Sequence, residues 1–194
     1  MKNFRYATQT IASRISIILT RMRATARAGS AAIEFAMIAP VFFMLLMGIM
    51  ENGIIYFAGA TLQNATDDVS RQIRTGQAQA AGMTQQQFRT AICNEIVPLL
   101  ACDSNLQIDV ESYNDYTTAG FAPPTDAAGN LKATLNNYVP GTACNVVLVR
   151  TFYTWKVITP MLSPFLTNIT GGYHLVSATS AFRNEPFVSG VGGW

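Results

Sequence analysis

An α+β protein carried on one long N-terminal helix is what this sequence predicts, and three observations predict it. A run of 16 residues from Phe35 to Met50 contains no charged or strongly polar member. After it, apolar residues recur at helical spacing as far as Ile73, and again from Phe88 to Leu99. Beyond Leu106 the sequence turns to segments rich in branched and aromatic residues, the first of them strictly alternating. Two helices followed by about three strands imply an antiparallel sheet packed against helical faces. Roughly 130 residues beyond the anchor are enough to bury a core.

Residues 1–28 carry Ile11, Ile15, Ile17, Ile18 and Leu19. They read either as a short amphipathic helix along the inner membrane face or as a partly disordered leader. Lys2, Arg5, Arg14, Arg21, Arg23 and Arg27 give the first 29 residues a charge of +6, and the remainder, with seven basic and 11 acidic residues, carries −4. A basic segment directly before an apolar helix stays cytoplasmic, so the C-terminal part is exported. Scattered arginines ahead of a span, with an acidic domain beyond, argue against a nucleic-acid partner.

The bare apolar run spans about 24 Å as a helix, short of the roughly 30 Å hydrocarbon core. Carried on through Ile54, Ile55, Tyr56 and Phe57 to Leu62 it is long enough, provided Glu51 is tolerated. Pro40 forfeits one backbone bond inside the span, a defect that membrane helices tolerate when neighbours compensate. Leu62, Ala65, Val69 and Ile73 then share one face, so the first helix is expected from about Ser30 to Thr75. Gly76 to Gln85 is a polar link in which Thr84 and Gln87 offer a capping box. Phe88, Ile92, Ile96 and Leu99 mark the buried face of a second helix, with Pro98 near its end. Leu106, Ile108 and Val110 alternate with Gln107, Asp109 and Glu111, the pattern of a half-buried strand. Phe121 to Asn130 reads as a loop, Asn145 to Ile158 as the strongest β segment, and Tyr173 to Phe182, after Gly171-Gly172, as the last strand. Pro160 and Pro164 bracket a short apolar connection, Met161 to Leu166. The expected division is a leader over 1–29, a helix over 30–75 embedded to about residue 62, and an α+β domain over 76–194.

Two carboxylates stand out. Glu34 complements the positive end of a helix dipole in its first turn, or it has a partner. Glu51, within or bordering the span, is either functional or at the far interface with its head in water. Cys93, Cys102 and Cys144 would lie outside the cytoplasm, where disulfides persist. One internal bridge is possible, Cys93 to Cys102 across a short loop, leaving Cys144 buried or joining two chains; the other reading is three buried thiols. His174 is the only histidine, so no two-histidine metal site and no Ser-His arrangement with a spare base can be built; there is no Gly-rich phosphate loop, CxxC pair or paired-carboxylate motif, and no cofactor is expected. A secretory signal cut at Ala58-Gly59-Ala60 would release a soluble domain, but the apolar run exceeds the usual signal core and Glu51-Asn52-Gly53 intervenes.

Gly29-Ser-Ala-Ala-Ile-Glu34-Phe35 followed by the apolar run resembles the processing site of type IV-like prepilins, where a membrane peptidase cuts after the glycine. Together with Pro40, Gly48-Ile-Met-Glu51-Asn-Gly53 and Leu62-Gln-Asn-Ala65, it is similar to the TadE-like family, minor pilins or pseudopilins of the bacterial tight adherence (Flp-type) pilus. Val149 to Trp155 and Ser177 to Pro186 resemble that group more loosely, and Asn52 departs from the aromatic or aliphatic residue that members often carry there. The resemblance implies a pilin-like fold and cleavage between Gly29 and Ser30 by a prepilin peptidase. It also implies a role for Glu34 and Phe35 in processing and assembly, with Glu34 meeting the new amine of a neighbouring subunit. At about 4 Å and an effective dielectric near 20, such a pair is worth up to roughly 4 kcal/mol before desolvation, which favours register more than stability. The implied partners are the peptidase, other pilins, the inner-membrane assembly platform and the lipid bilayer. The implied location is the inner membrane, single-pass, with the C-terminal domain periplasmic. An uncleaved membrane-anchored periplasmic binding or envelope protein is the second reading, and an anchored enzyme the third.

Overall fold

The structure, a computed structural model, describes residues 2–97, 99–159 and 162–187, with side chains from Ser30 onward. Pro98, Pro160 and Met161, and the side chains of the apolar leader residues, lie outside the described residues. The elements run α1 (Lys2–Arg74), α2 (Gln77–Ala80), α3 (Gln85–Ile96), β1 (Leu106–Tyr113), β2 (Val146–Lys156), α4 (Ser163–Leu166) and β3 (Tyr173–Arg183). Helices followed by a three-stranded antiparallel sheet, in the order β1-β2-β3, make the α+β architecture that the sequence predicts. The chain divides into two compact units, Met1–Met47 and Gly48–Trp194.

α1 begins at Lys2 rather than near Ser30. No proline precedes Pro40, and Gly29 stands alone among alanines and other good helix formers, so nothing stops the helix there. Its far end is better marked. Arg71 and Arg74 occupy the last turn, where cations complement the helix dipole, and Gly76 follows with φ 80°. A Cβ at Gly76 would also fall on the Phe187 ring, so that position needs glycine for its backbone and for its space.

From Ile55 onward α1 turns one stripe inward: Ala58, Leu62, Ala65, Val69 and Ile73 follow at steps of three and four, each at most 3% exposed. The stripe joins one cluster with Phe88, Ile92 and Ile96 of α3 and with the inner face of the sheet. Register fixes which face that is. Val110 pairs with Val149, and Val149 with Ser180. Alternation therefore sends Val147, Val149 and Thr151 toward the helices and Leu148, Arg150 and Phe152 away from them. Thr66 and Thr151 share a hydrogen bond of 2.6 Å through the buried layer, which satisfies both hydroxyls.

The opposite face of the sheet is not solvated in the way the alternation of β1 implies. The connection between β1 and β2 folds back over it, and Leu135, Phe152 and Leu175 form a second, smaller cluster there with Leu131 and Ile169. Val110 also takes a strand-like partner from this connection: its N–H donates to Asn137 O at 2.9 Å, and Val139 N donates to Val110 O at 2.8 Å. The outer edge, β3, is closed at two points by side-chain amides. Asn168 exchanges two bonds with the Leu175 backbone, and Gln63 of α1 does the same at Thr179. Each amide imitates a neighbouring strand and blunts an edge that could otherwise template another chain.

α3 starts on the capping box expected at Thr84 and Gln87. A disulfide between Cys93 and Cys102, with Cα atoms 5.5 Å apart, ties the end of α3 to the approach to β1. Cys144 is exposed and unbridged.

Candidate functional site

Two places on α1 hold the carboxylates singled out in the sequence. In the first, Ser30 and Glu34 lie one helical turn apart on adjoining positions, as i and i+4 spacing requires. The Ser30 hydroxyl donates to Glu34 Oε1 at 3.1 Å, and both residues are exposed. Phe35 is 66% exposed, and the apolar side chains that follow it, among them Ile38, Phe42, Leu45 and Ile49, are uncovered as well. The helix holding them is long and apolar enough to cross a membrane, with mean hydropathy 2.2 in its best window, none of which is buried in protein. Such an uncovered surface belongs in lipid or against other helices, and it supports a single-pass membrane topology.

The second place is Glu51, and its head is not in water. The residue is 4% exposed. Its two carboxylate oxygens accept the backbone N–H groups of Ile158 and Thr159, the latter at 3.0 Å. The indole Nε1 of Trp155 is buried beside the same carboxylate, outside hydrogen-bond geometry. The donors come from the segment that leaves β2, so one side chain of α1 fixes the start of the connection to β3. A carboxylate that accepts two N–H groups keeps most of the solvation it loses on burial. The sequence carried a signal for this position. Glu51 sits four residues before Ile55 and so occupies the next step of the inward stripe.

A third arrangement had no such signal. Asp109 and Arg150 are directly opposite on β1 and β2, at 0% and 6% exposure. Arg150 Nη2 and Nε donate to Asp109 Oδ2 at 2.6 and 3.2 Å, and the remaining oxygen accepts both the backbone and the side-chain N–H of Asn137. Arg150 Nη1 donates to Ala122 O at 3.1 Å. The pair thus clamps the covering connection at residues 122 and 137 onto the sheet. Its formation depends on strand register, which is not visible in a single chain of letters.

Other chemistry is sparse. His174 Nδ1 faces Leu166 O, which occupies that ring nitrogen. Among the described residues no three His, Cys, Asp or Glu side chains converge as metal ligands. An open cleft of about 440 Å³ lies between α3 and β1, lined by Gln85, Gln86, Arg89, Gln107 and Asn136. Arg89 is committed there to the carbonyls of Asp103 and Leu106. The cleft holds amides and no poised acid, base or nucleophile.

The structure brings Ser30 to Glu34 and Cys93 to Cys102, and it sets Glu51 apart from both in a socket of its own. No curated protein and no solved structure matches the chain. The model of one family, described as TadE-like protein, matches residues 29–71, so the stretch that carries Ser30, Glu34, Pro40 and Glu51 is TadE-like in sequence.

Proposed function

We propose that the chain is a minor pilin or pseudopilin of a tight adherence (Flp-type) pilus, without enzymatic activity of its own. One observation carries the reading: the TadE-like match coincides with an uncovered apolar helix that has Glu34 one turn beyond Ser30. A prepilin peptidase cuts between Gly29 and Ser30, removes the basic leader 1–29 and leaves Glu34 as the fifth residue of the mature chain. The helix over 30–75, whose exposed apolar side chains reach as far as Phe57, then holds the product in the bacterial inner membrane. Its leader end is cytoplasmic by the charge rule, and the domain over 76–194 is periplasmic. The disulfide Cys93–Cys102 fits that oxidising compartment.

Assembly follows from the same surface. Phe35, Ile38, Phe42, Leu45, Leu46 and Ile49 exchange lipid for the helices of other pilins at the assembly platform, and van der Waals packing drives the exchange. Glu34 meets the amine of a neighbouring subunit and sets the register. Phe35 accompanies it as the first large side chain of the packing face.

The test is intact mass and N-terminal sequencing of the protein from membranes with and without the prepilin peptidase. A peptidase-dependent N-terminus at Ser30, lost in Gly29→Leu, is the expected result. An N-terminus at Met1 under both conditions would replace this reading with an uncleaved anchored envelope protein, and one at Thr61 would mean a secreted domain.

A further inference from the structure

The connection between β2 and β3 approaches α1 at an unexpected level. Ile158 and Thr159 donate to Glu51, and Leu162 lies so close to Gly48 that a Cβ at that glycine would overlap its Cδ1. Ile158, Thr159 and Leu162 of the connection therefore lie alongside α1 over residues 48–51. Its exposed side chains include two large apolar ones, Ile158 at 73% and Phe165 at 83%, beside Pro164 and the polar Asn168 and Thr170. No charged residue occurs anywhere from Val157 to Gly172.

The length of the span says what medium surrounds that level. The 16 apolar residues from Phe35 to Met50 reach only about 24 Å, whereas the 22 from Phe35 to Tyr56 reach about 33 Å, enough for a hydrocarbon core of roughly 30 Å. Tyr56 is 81% exposed and Phe57 61%, and aromatic side chains of this kind gather where hydrocarbon meets water. With the boundary at Tyr56, Glu51 is about 7 Å inside it and Gly48 about 12 Å inside. Irregular backbone and a carboxylate are tolerated at that depth only when protein satisfies them. The carboxylate and the N–H groups of Ile158 and Thr159 satisfy one another.

We infer that the β2–β3 connection is a second membrane element, seated in the periplasmic leaflet beside α1, where Ile158 and Phe165 contact lipid acyl chains and the connection seals Glu51 from them. The inference rests on the membrane reading of α1. The connection carries no charge and exposes Ile158 and Phe165, and such side chains at this level match lipid better than water. It gives the domain a fixed seat on the bilayer in addition to its tether.

Depth-dependent fluorescence quenching tests it on the full chain. In a Cys144→Ser background, Phe165→Cys, Ile158→Cys, Leu45→Cys and Ala127→Cys are each labelled with an environment-sensitive fluorophore. They are reconstituted in phosphatidylcholine–phosphatidylglycerol vesicles containing nitroxide lipids. Labels at 45, 158 and 165 should be quenched at least twofold, with 158 and 165 favouring the shallow nitroxide, and the label at 127 should not be quenched. Quenching at 45 without quenching at 158 and 165 overturns the inference and leaves the membrane span standing. A blue-shifted emission at 165 without lipid quenching overturns it in favour of a covering protein chain. No quenching at 45 overturns the span and the inference together.

Discussion

Asp109 and Arg150 meet across two strands with every carboxylate lone-pair direction claimed, two by the guanidinium and two by Asn137. Removing one partner of such a pair strands the other charge in the interior. Asp109→Ala should therefore lower the unfolding free energy by about 3–5 kcal/mol, and replacing both residues with apolar ones of similar size should restore most of it. Denaturant unfolding of the parent and the two variants measures this directly. Tyr138 makes the opposite case. Its hydroxyl is buried without a hydrogen-bond partner among the described residues, and its ring packs on Phe88 at 5.5 Å between centroids. Burial pushes its phenol from 10.0 up to about 12. Below pH 10 the group is neutral whether the chain is folded or not, and it adds no pH dependence. Between about 10 and 12 the unfolded chain releases a proton that the folded chain keeps, so stability falls as pH rises through that window. Tyr138→Phe should remove that part of the alkaline loss and cost less than about 0.5 kcal/mol at pH 8, because no bond is given up. A pH series of unfolding curves checks both statements. Neither residue announced itself in the sequence. Asp109 read as the outward side of an alternating strand, and only the fold of residues 121–139 over that side makes it interior.

At the scale of elements, the periodic signals were legible and the covering segments were not. The face Leu62, Ala65, Val69 and Ile73 and, of the second face, Phe88, Ile92 and Ile96 are buried, because helical spacing alone defines them, whereas Leu99 falls beyond the end of α3 and is only half-buried. The capping box at Thr84 was readable for the same reason: its partners are three residues apart. Thr84→Ala should cost about 1 kcal/mol of domain stability by freeing the Gln87 N–H at the start of α3. Reduction of Cys93–Cys102 should cost about 2–3 kcal/mol, the loop-closure value for a short ring, read as a lower unfolding midpoint after thiol treatment. What spacing does not encode is the return of one loop onto a distant face. The long β1–β2 connection has Pro, Gly and Asn at its turns and only Leu131, Leu135 and Tyr138 as anchors. Its docking depends on Arg150 and Asp109, which come from elsewhere. Similarly, α4 at Ser163–Leu166 lies where the sequence offered only a proline-bracketed apolar stretch, and it is a single short turn.

For the whole molecule the functional reading makes one demand that stability does not. Glu34 is exposed, and its one described partner is Ser30, so Glu34→Gln should leave folding and membrane insertion within about 0.5 kcal/mol of the parent. The same change should sharply reduce recovery of the subunit with sheared pili, or pilus formation itself, while the processed protein accumulates in the inner membrane. Fractionation followed by immunodetection separates these outcomes, and normal pili built with the variant would remove Glu34 from the assembly step. The inward stripe of α1 has a mechanical corollary. Nine buried positions from Glu51 to Ile73 fasten this helix to the sheet and α3. A pull exerted between the helix and the domain is therefore borne in shear by all of them at once, whereas a hinge at residues 75–84 would have to bear it alone. Even a proteolytic nick in that short link would leave the two fragments clasped, and tension would reach the domain through its core.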